Sequence, residues 1–261
     1  MDKDQIALMF SLEGKTALIA GASRGIGEEI ARVFGLAGAK LVVSSRRPDG
    51  INEAAERLRK ATGTDVQAIP ANISYPDDRK KLVEEAMAWT GRIDILVNNA
   101  GTNPANGLLA DIEESAWDKI FETNLKGPYI LSKLVFHASM KENGGCIINT
   151  ASVGAYGNGG GMEGAYCITK SALSHLTRIL ASEWGQYGIR VNAIAPGLIK
   201  TRLAQALWDR PGIEQMAQNK AVKRLGQVED LAGAALLLAS KAGEFINGED
   251  IIIDNGSLVS R

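Results

Sequence analysis

The 261-residue chain has too few cysteines and histidines, and too balanced a charge, for several classes of protein. Its two cysteines, Cys146 and Cys167, cannot form a disulfide scaffold and lack the spacing of a metal cluster, so we expect buried, reduced thiols. His137 and His175 stand in helical stretches without clustered ligands, and no metal site is predicted. Lysine and arginine total 29 against 30 for aspartate and glutamate, which argues against a nucleic-acid surface.

Long apolar stretches and internal breaks are also missing. No stretch approaches the ~20 apolar residues that span a bilayer, so we expect no membrane partner. The chain begins with early acidic residues and shows no cleavage-site pattern, which predicts a cytoplasmic protein without a signal peptide. With 45% hydrophobic residues and no repeat or linker, we predict a single domain over 1–261, with an N-terminal extension at 1–11.

Short apolar runs alternate with stretches of helical periodicity along the chain. Continuous apolar runs are typical of parallel strands buried on both faces, and we predict strands at 16–20, 41–44, 66–70, 93–97, 146–150, 190–195 and 251–254. Helical spacing predicts helices at 25–37, 53–61, 79–89, 129–140 and 166–184. The predicted fold class is therefore α/β, a single-domain Rossmann-like doubly wound parallel sheet flanked by helices.

A glycine-rich turn follows the first predicted strand. Gly21, Gly25 and Gly27 precede a helical run that begins Glu28-Glu29-Ile30. Glycines let the backbone approach a phosphate, and a helix start offers unpaired N–H groups. A short glycine pattern is often only a tight turn, but its place between strand and helix favours a dinucleotide site.

The end of the second strand bears on which dinucleotide binds. A cofactor with a plain ribose usually meets an acidic residue there, whereas a 2′-phosphate calls for arginine. Here Ser45 occupies the acidic place, Arg46 follows, and Arg24 in the glycine turn adds a charge. NADP(H) is thus favoured over NAD(H), although a solvated basic turn that discourages edge aggregation is the alternative interpretation.

A tyrosine and a lysine lie four residues apart further along the chain. Tyr166 and Lys170 share one face of a predicted helix, so an ammonium can stand beside a phenol and favour its ionised form. Lowering a phenol pKa of about 10 by roughly three units requires about 4 kcal/mol, more than one exposed lysine supplies. From spacing alone the pair is also compatible with an ordinary exposed helix face, and Ser152 upstream is the third candidate group.

Taken together, these motifs closely resemble those of the short-chain dehydrogenase/reductase family, and within it the bacterial 3-oxoacyl-carrier-protein reductase type. The resemblance extends from about Leu12 to Gly256. Its specificity comes from the order and spacing of several motifs: Gly21-x3-Gly25-x-Gly27, Asn98-Asn99-Ala100-Gly101, Asn124, Ser152, Tyr166-x3-Lys170, and Pro196-Gly197 followed by Thr201.

The resemblance implies roles for four residues. Tyr166 would protonate the carbonyl oxygen during reduction and act as base in the reverse direction. Ser152 would hydrogen-bond that oxygen, and Lys170 would lower the tyrosine pKa and bind the nicotinamide ribose. Asn124 would hold a water that links Lys170 to solvent. The implied activity is an NADP(H)-dependent oxidoreductase that interconverts a ketone, or a 3-oxoacyl thioester, and a secondary alcohol.

The resemblance also implies the residues that contact NADP(H). Asn72 stands where many relatives have aspartate, yet its amide oxygen can accept from the adenine amine. The implied contacts are Gly21, Ser23, Arg24, Gly25, Ile26, Gly27, Ser45, Arg46, Asn72, Ile73, Asn99, Ala100, Gly101, Tyr166, Lys170, Pro196, Gly197, Ile199 and Thr201.

Substrate identity is predicted to depend on two segments. Residues at about 198–225 would form a lid, in which Leu203, Leu207, Trp208 and Met216 offer either an apolar wall or core packing. The glycine-rich loop 154–164 makes the Ser152 to Tyr166 spacing one residue longer than in the 3-oxoacyl-carrier-protein reductases that the chain resembles. A small-molecule carbonyl or alcohol substrate and, by family analogy, a homotetramer are expected. A sugar-acid or steroid-type alcohol dehydrogenase and a non-catalytic nucleotide-sensing protein are the alternatives.

Overall fold

The computed structural model describes residues 2–105, 107–158, 162–218 and 221–259. In this part of the chain the strands are β1 Thr16–Ala20, β2 Lys40–Ser45, β3 Val66–Pro70, β4 Ile95–Asn98, β5 Gly145–Thr150, β6 Ile189–Pro196 and β7 Asp250–Ile253. They form one sheet in the order β3-β2-β1-β4-β5-β6-β7, and every neighbouring pair is parallel. The predicted fold class is confirmed.

Helices connect the strands and cover the sheet. They are α1 Lys3–Met9, α2 Gly25–Leu36, α3 Pro48–Thr62, α4 Pro76–Thr90, α5 Glu114–Phe121, α6 Gly127–Val135, α7 Lys141–Asn143, α8 Gly164–Trp184, α9 Gln205–Trp208, α10 Ile213–Gln218 and α11 Glu229–Ala239. Two π-helical turns, Glu122–Lys126 and Phe136–Met140, join α5, α6 and α7. No helix in the described ranges is both long and apolar enough to cross a membrane.

The core lies on both faces of the sheet because successive strand side chains point to opposite sides. In β1, Ala17 and Ile19 pack with α2, α3 and α11, whereas Leu18 and Ala20 pack with α4, α6 and α8. All five residues of this strand are buried, which explains its continuous apolar sequence.

Two helices begin three or more residues earlier than the apolar periodicity predicts. α3 begins at Pro48 rather than at 53, and α4 begins at Pro76 rather than at 79. Proline is favoured at the first helical position because its ring holds φ near the helical value and its missing N–H has no partner to lose there. The periodic pattern starts only where the helix first meets the core, so it omits this first turn.

The direction of strand progression reverses between β1 and β4. Chain segments leaving neighbouring strands diverge at such a point and open a crevice at the carboxyl edge of the sheet. The glycine turn leaves β1 at this edge, Ser45 ends β2, Asn99 follows β4 and Ser152 follows β5. Motifs that are far apart in sequence are therefore brought together by the parallel topology.

Candidate active site

The glycine turn between β1 and α2 is packed too closely for side chains. Gly21 has a φ of 90°, and a Cβ there would lie 2.6 Å from the backbone nitrogen of Ala100. A Cβ on Gly27 would overlap the carbonyl oxygen of Gly21. Gly25 begins α2 with a φ of 64°. The turn thus presents bare backbone at a helix start, as an anion-binding site requires.

Asn99 connects this turn to the neighbouring strand ends. Its amide nitrogen donates to the carbonyl oxygen of Gly21 at 2.8 Å, and its amide oxygen accepts from the Thr150 hydroxyl at 3.2 Å. Both ends of the side chain are used within the protein. Asn99 therefore positions the turn, and its own backbone, with Ala100 and Gly101, is what remains to face a ligand.

Several cations converge beside the glycine turn. Partial burial and the charges of Arg202, Arg47 and Arg46 lower the pKa of the Arg24 guanidinium. The hydroxyl oxygen of Ser45 is buried without a hydrogen-bond partner among the described residues. The positive charges of these guanidinium groups repel one another beside an unpaired hydroxyl, and a bound anion would relieve this repulsion. Arg47 and Arg202 are additions to the residues predicted from the sequence.

The turn after β3 carries Asn72 and Ile73. The Asn72 amide oxygen already accepts from the backbone N–H of Ser74 at 3.1 Å, and its second lone pair is what a further donor could use. The Ile73 side chain is buried in the core, while its carbonyl accepts from Arg79 at 2.6 Å. These contacts give both residues structural roles in the turn.

The segment after β6 returns to the glycine turn. The backbone N–H of Gly197 donates to Ile253 at 2.9 Å, and Ile199 is buried in the same core cluster as α2. The methyl group of Thr201 would be 3.7 Å from a Cβ on Gly25. The structure thus places the Pro196 to Thr201 segment against the start of α2, and Ser23 and Ile26 lie within that same turn.

Ser152, Tyr166 and Lys170 come together at the carboxyl end of β5. Burial raises the pKa of Tyr166 to about 12, and a hydrogen bond with the Ser152 hydroxyl partly opposes this shift. The ammonium nitrogen of Lys170 lies 5.5 Å from the centroid of the Tyr166 ring. Burial outweighs the hydrogen bond that favours ionisation of the phenol, so the tyrosine is protonated at neutral pH.

Lys170 is buried, with 4% of its surface exposed. Its ammonium donates to the carbonyl oxygen of Thr150 at 2.6 Å, and burial lowers its pKa to about 8. A lysine in this state gives up its proton near neutral pH more readily than an exposed one. Thr150 therefore bonds both Lys170 and Asn99. Its position two residues before Ser152 does not predict this role.

We expect Lys170→Met to alter the pH dependence of stability. Because folding lowers the lysine pKa from 10.5 to about 8, the unfolded chain binds this proton more tightly, and wild-type stability rises between those pH values. This rise, about 3 kcal/mol for a shift of this size, should be missing in the variant. Urea unfolding at pH 7 and pH 10 measures it.

The control for this experiment is Lys60→Met, an exposed lysine that folding leaves in water. Its pH dependence of stability should match that of the wild type. An equal rise in stability from pH 7 to pH 10 for wild type and Lys170→Met would show that burial does not perturb the Lys170 ammonium.

Asn124 lies in the π-helical turn Glu122–Lys126 and is completely buried. Its amide oxygen accepts from the backbone N–H of Thr102 at 2.8 Å, and its amide nitrogen donates to the Thr102 carbonyl at 2.9 Å. The amide nitrogen also lies 3.3 Å from the Thr169 hydroxyl. Because the amide is occupied in this way, a water at Asn124 would have to bind elsewhere on the residue, such as its backbone.

The segment 198–225 packs partly on itself in its described parts. The indole N–H of Trp208 donates to the Thr201 carbonyl at 2.7 Å, and Trp208 packs against a small apolar cluster of Ile213, Ala217 and Leu225. Leu203 and Met216 are exposed. Of the residues predicted to form either a wall or core, Trp208 is thus packed within the segment.

Two further predictions concern cysteine and the glycine-rich loop. Cys146 and Cys167 are free and buried, as expected, and Cys167 packs against Gly154. Residues 159–161 of the loop lie outside the described residues.

The amide nitrogen of Asn98 donates to the Ser132 hydroxyl and to the Asn149 amide oxygen, at 2.9 Å each.

Comparisons with known proteins show which family this chain is similar to. A family model described as enoyl-(acyl carrier protein) reductase matches residues 21–257. A Caenorhabditis elegans dehydrogenase/reductase SDR family member 4 is 42% identical over 248 residues, which cover 94% of this chain and 95% of the relative.

Solved structures also share the fold. A gluconate 5-dehydrogenase from Burkholderia cenocepacia in complex with NADP and tartrate is 32% identical, with a TM-score of 0.92 over 98% of this chain and 100% of that one. A 7α-hydroxysteroid dehydrogenase complexed with NADH and 7-oxoglycochenodeoxycholic acid is 34% identical, with a TM-score of 0.90 over 98% of each chain. With the parallel sheet, the glycine turn and these matches, the chain belongs to the short-chain dehydrogenase/reductase family of NAD(P)(H)-dependent oxidoreductases.

Proposed function

We propose that the protein interconverts a ketone, or a 3-oxoacyl thioester, and a secondary alcohol with NADP(H) as cofactor. The observation that carries this proposal is the meeting of Ser152, Tyr166 and Lys170 beside the glycine turn at one edge of the sheet. A bound nicotinamide cofactor supplies the hydride. The chain then needs to orient a carbonyl and exchange one proton at its oxygen.

In this proposal the protonated Tyr166 donates its proton to the carbonyl oxygen during reduction and takes it back during oxidation. The Ser152 hydroxyl, already bonded to the phenol, holds the substrate oxygen in line with it. Lys170 stabilises the phenolate that remains, and its low pKa allows it to pass on a proton from solvent. Asn124 holds the Thr102 segment in place next to Lys170.

The preference for NADP(H) is supported by the cluster of positive charge at Arg24, Arg46, Arg47 and Arg202. A 2′-phosphate would relieve the repulsion among these side chains and could accept from the unpaired Ser45 hydroxyl. An acidic group suited to a plain ribose is missing from the end of β2. The bare backbone of the glycine turn fits the pyrophosphate.

The substrate side is proposed to be covered by a lid at about 198–225. Exposed Leu203 and Met216 give this segment apolar surface, which favours an apolar substrate over a sugar acid. A homotetramer is proposed as the assembly. Ile252 on the edge strand β7 and Ile179 on α8 are exposed, and Phe245 is fully exposed, so a second copy could bury them.

Turnover of a panel of ketones, diketones and 3-oxoacyl thioesters with NADPH tests the proposal. We expect oxidation of NADPH that depends on the carbonyl compound, with formation of one equivalent of the alcohol, identified by mass spectrometry. Binding of NADPH, measured by fluorescence titration, serves as the control for a competent protein. NADPH binding without turnover across the panel would favour a nucleotide-sensing protein instead.

A further inference from the structure

Glu163 is held close to the candidate active site by contacts with the segment that follows β4. It immediately precedes α8 and stands three residues before Tyr166. Its carboxylate oxygen Oε1 accepts from the amide nitrogen of Asn103 at 2.8 Å. Next to it, the backbone N–H of Gly107 donates to the Met162 carbonyl at 2.8 Å. The two segments therefore hold this carboxylate beside the start of the helix that carries Tyr166.

The negative charge of Glu163 has no salt-bridge partner within the described residues. Burial raises the pKa of its carboxyl group, while the Asn103 bond and the more distant charge of Arg210 oppose this shift. Glu163 in turn contributes to the raised pKa of Tyr166, because the negative charge of Glu163 disfavours the phenolate. A partly buried carboxylate without a cation is costly unless a ligand supplies one.

Apolar side chains also lie close to Glu163, beside its bond with Asn103. The Leu109 side chain is so close to Gly164 that a Cβ there would lie 2.8 Å from Leu109 Cγ. Met162 and Leu108, which follows the Gly107 that bonds Met162, expose apolar surface. A carboxylate that apolar side chains partly shield from water interacts more strongly with a cation, because less water competes for either charge.

We propose that Glu163 determines specificity by binding a protonated amine on the substrate. The protein would then prefer amino ketones and amino alcohols to uncharged compounds of the same shape. This inference rests on the proposed function, since the amine must be presented while the carbonyl faces Tyr166 and Ser152. A hydroxyl group would bond one carboxylate oxygen but leave the charge of Glu163 unbalanced.

A pair of substrates with the same heavy-atom skeleton tests the proposal. 1-(Dimethylamino)propan-2-one and 4-methylpentan-2-one differ only in a protonated nitrogen that replaces a CH group. We expect kcat/KM to be at least about tenfold higher for the amino ketone, the size of a charge-assisted hydrogen bond. In Glu163→Gln, whose amide oxygen can still accept from Asn103, the ratio of the two kcat/KM values should fall to about one.

Arg210→Gln is the matched variant, because the positive charge of Arg210 acts on the Glu163 carboxyl group without forming a salt bridge to it. Removing this cation should raise the ratio, because Arg210 opposes a substrate ammonium. A third substrate, 4-hydroxy-4-methylpentan-2-one, separates a cation site from a general acceptor. The proposal is overturned if the wild type does not prefer the amino ketone, if the preference survives Glu163→Gln, or if the hydroxy ketone is favoured to the same extent.

Calorimetric titration separates a failure of this inference from a failure of the proposed function. The corresponding alcohols, 1-(dimethylamino)propan-2-ol and 4-methylpentan-2-ol, can be titrated into the wild type and Glu163→Gln without any turnover. Tighter binding of the amino alcohol that is lost in Glu163→Gln supports the role of Glu163 even if no ketone is reduced. Equal binding of the two alcohols to the wild type contradicts it.

Discussion

Tyr166→Phe is expected to lower kcat for ketone reduction by about 10²- to 10⁴-fold, the usual contribution of a positioned general acid. The variant removes one oxygen atom and leaves the ring that packs beside Lys170. Its fold and its affinity for NADPH should therefore change little. Steady-state kinetics, NADPH titration and urea unfolding on the same preparation distinguish a lost proton donor from a damaged protein.

Tyr187→Phe is the control for this substitution. Tyr187 is an exposed tyrosine that packs edge-on against Phe136, away from the candidate site, and its loss of a hydroxyl should leave kcat unchanged. If Tyr166→Phe retains more than about a tenth of wild-type kcat, the proton must come from another group, and the role assigned to Tyr166 is wrong.

The second large effect concerns cofactor choice. In Ser45→Asp/Arg46→Ala, a carboxylate replaces the unpaired hydroxyl at the end of β2 and one cation of the arginine cluster is removed. A charge-assisted hydrogen bond contributes about 1.5–3 kcal/mol, and repulsion between the new carboxylate and the 2′-phosphate adds to its loss. We expect the ratio of kcat/KM for NADPH to that for NADH to fall by about 10²- to 10³-fold.

The measurement compares both cofactors at a saturating ketone concentration, together with their dissociation constants. Lys60→Glu, on the exposed end of α3, changes the net charge by the same amount away from the site and should leave the cofactor ratio intact. An unchanged preference in the double variant would mean that the arginine cluster does not recognise the 2′-phosphate.

Local sequence patterns predict the glycine turn and the strands. Gly27 is needed because a Cβ there would meet the Gly21 carbonyl within the same strand-turn-helix unit, and this local requirement appears in the glycine spacing. The apolar pattern predicts both ends of the fully buried strand β1, because a parallel strand buried on both faces has a continuous apolar sequence. Helix starts such as Pro48 lie outside the core-facing pattern, so the apolar periodicity predicts a start several residues too late.

Residues whose importance depends on distant neighbours could not be recognised from the sequence. No sequence pattern singles out Thr150, although it bonds both Lys170 and Asn99. Arg202 joins the cations of the glycine turn only because the chain after β6 folds back on α2. Glu163 is an ordinary acidic residue in sequence, and it becomes a candidate for substrate selection only beside Asn103 and Tyr166.

The sequence by itself determined the family, the α/β fold and the set of groups available for hydride and proton exchange, because these depend on residue type and on spacing along the chain. Tertiary structure decided the electrostatic state of those groups. Helical spacing predicts that Lys170 lowers the pKa of Tyr166, yet burial raises that pKa and directs the ammonium to the Thr150 carbonyl in the structure. Burial and the convergence of separate strand ends are properties of the folded chain, and they set the charge that a cofactor or substrate would meet.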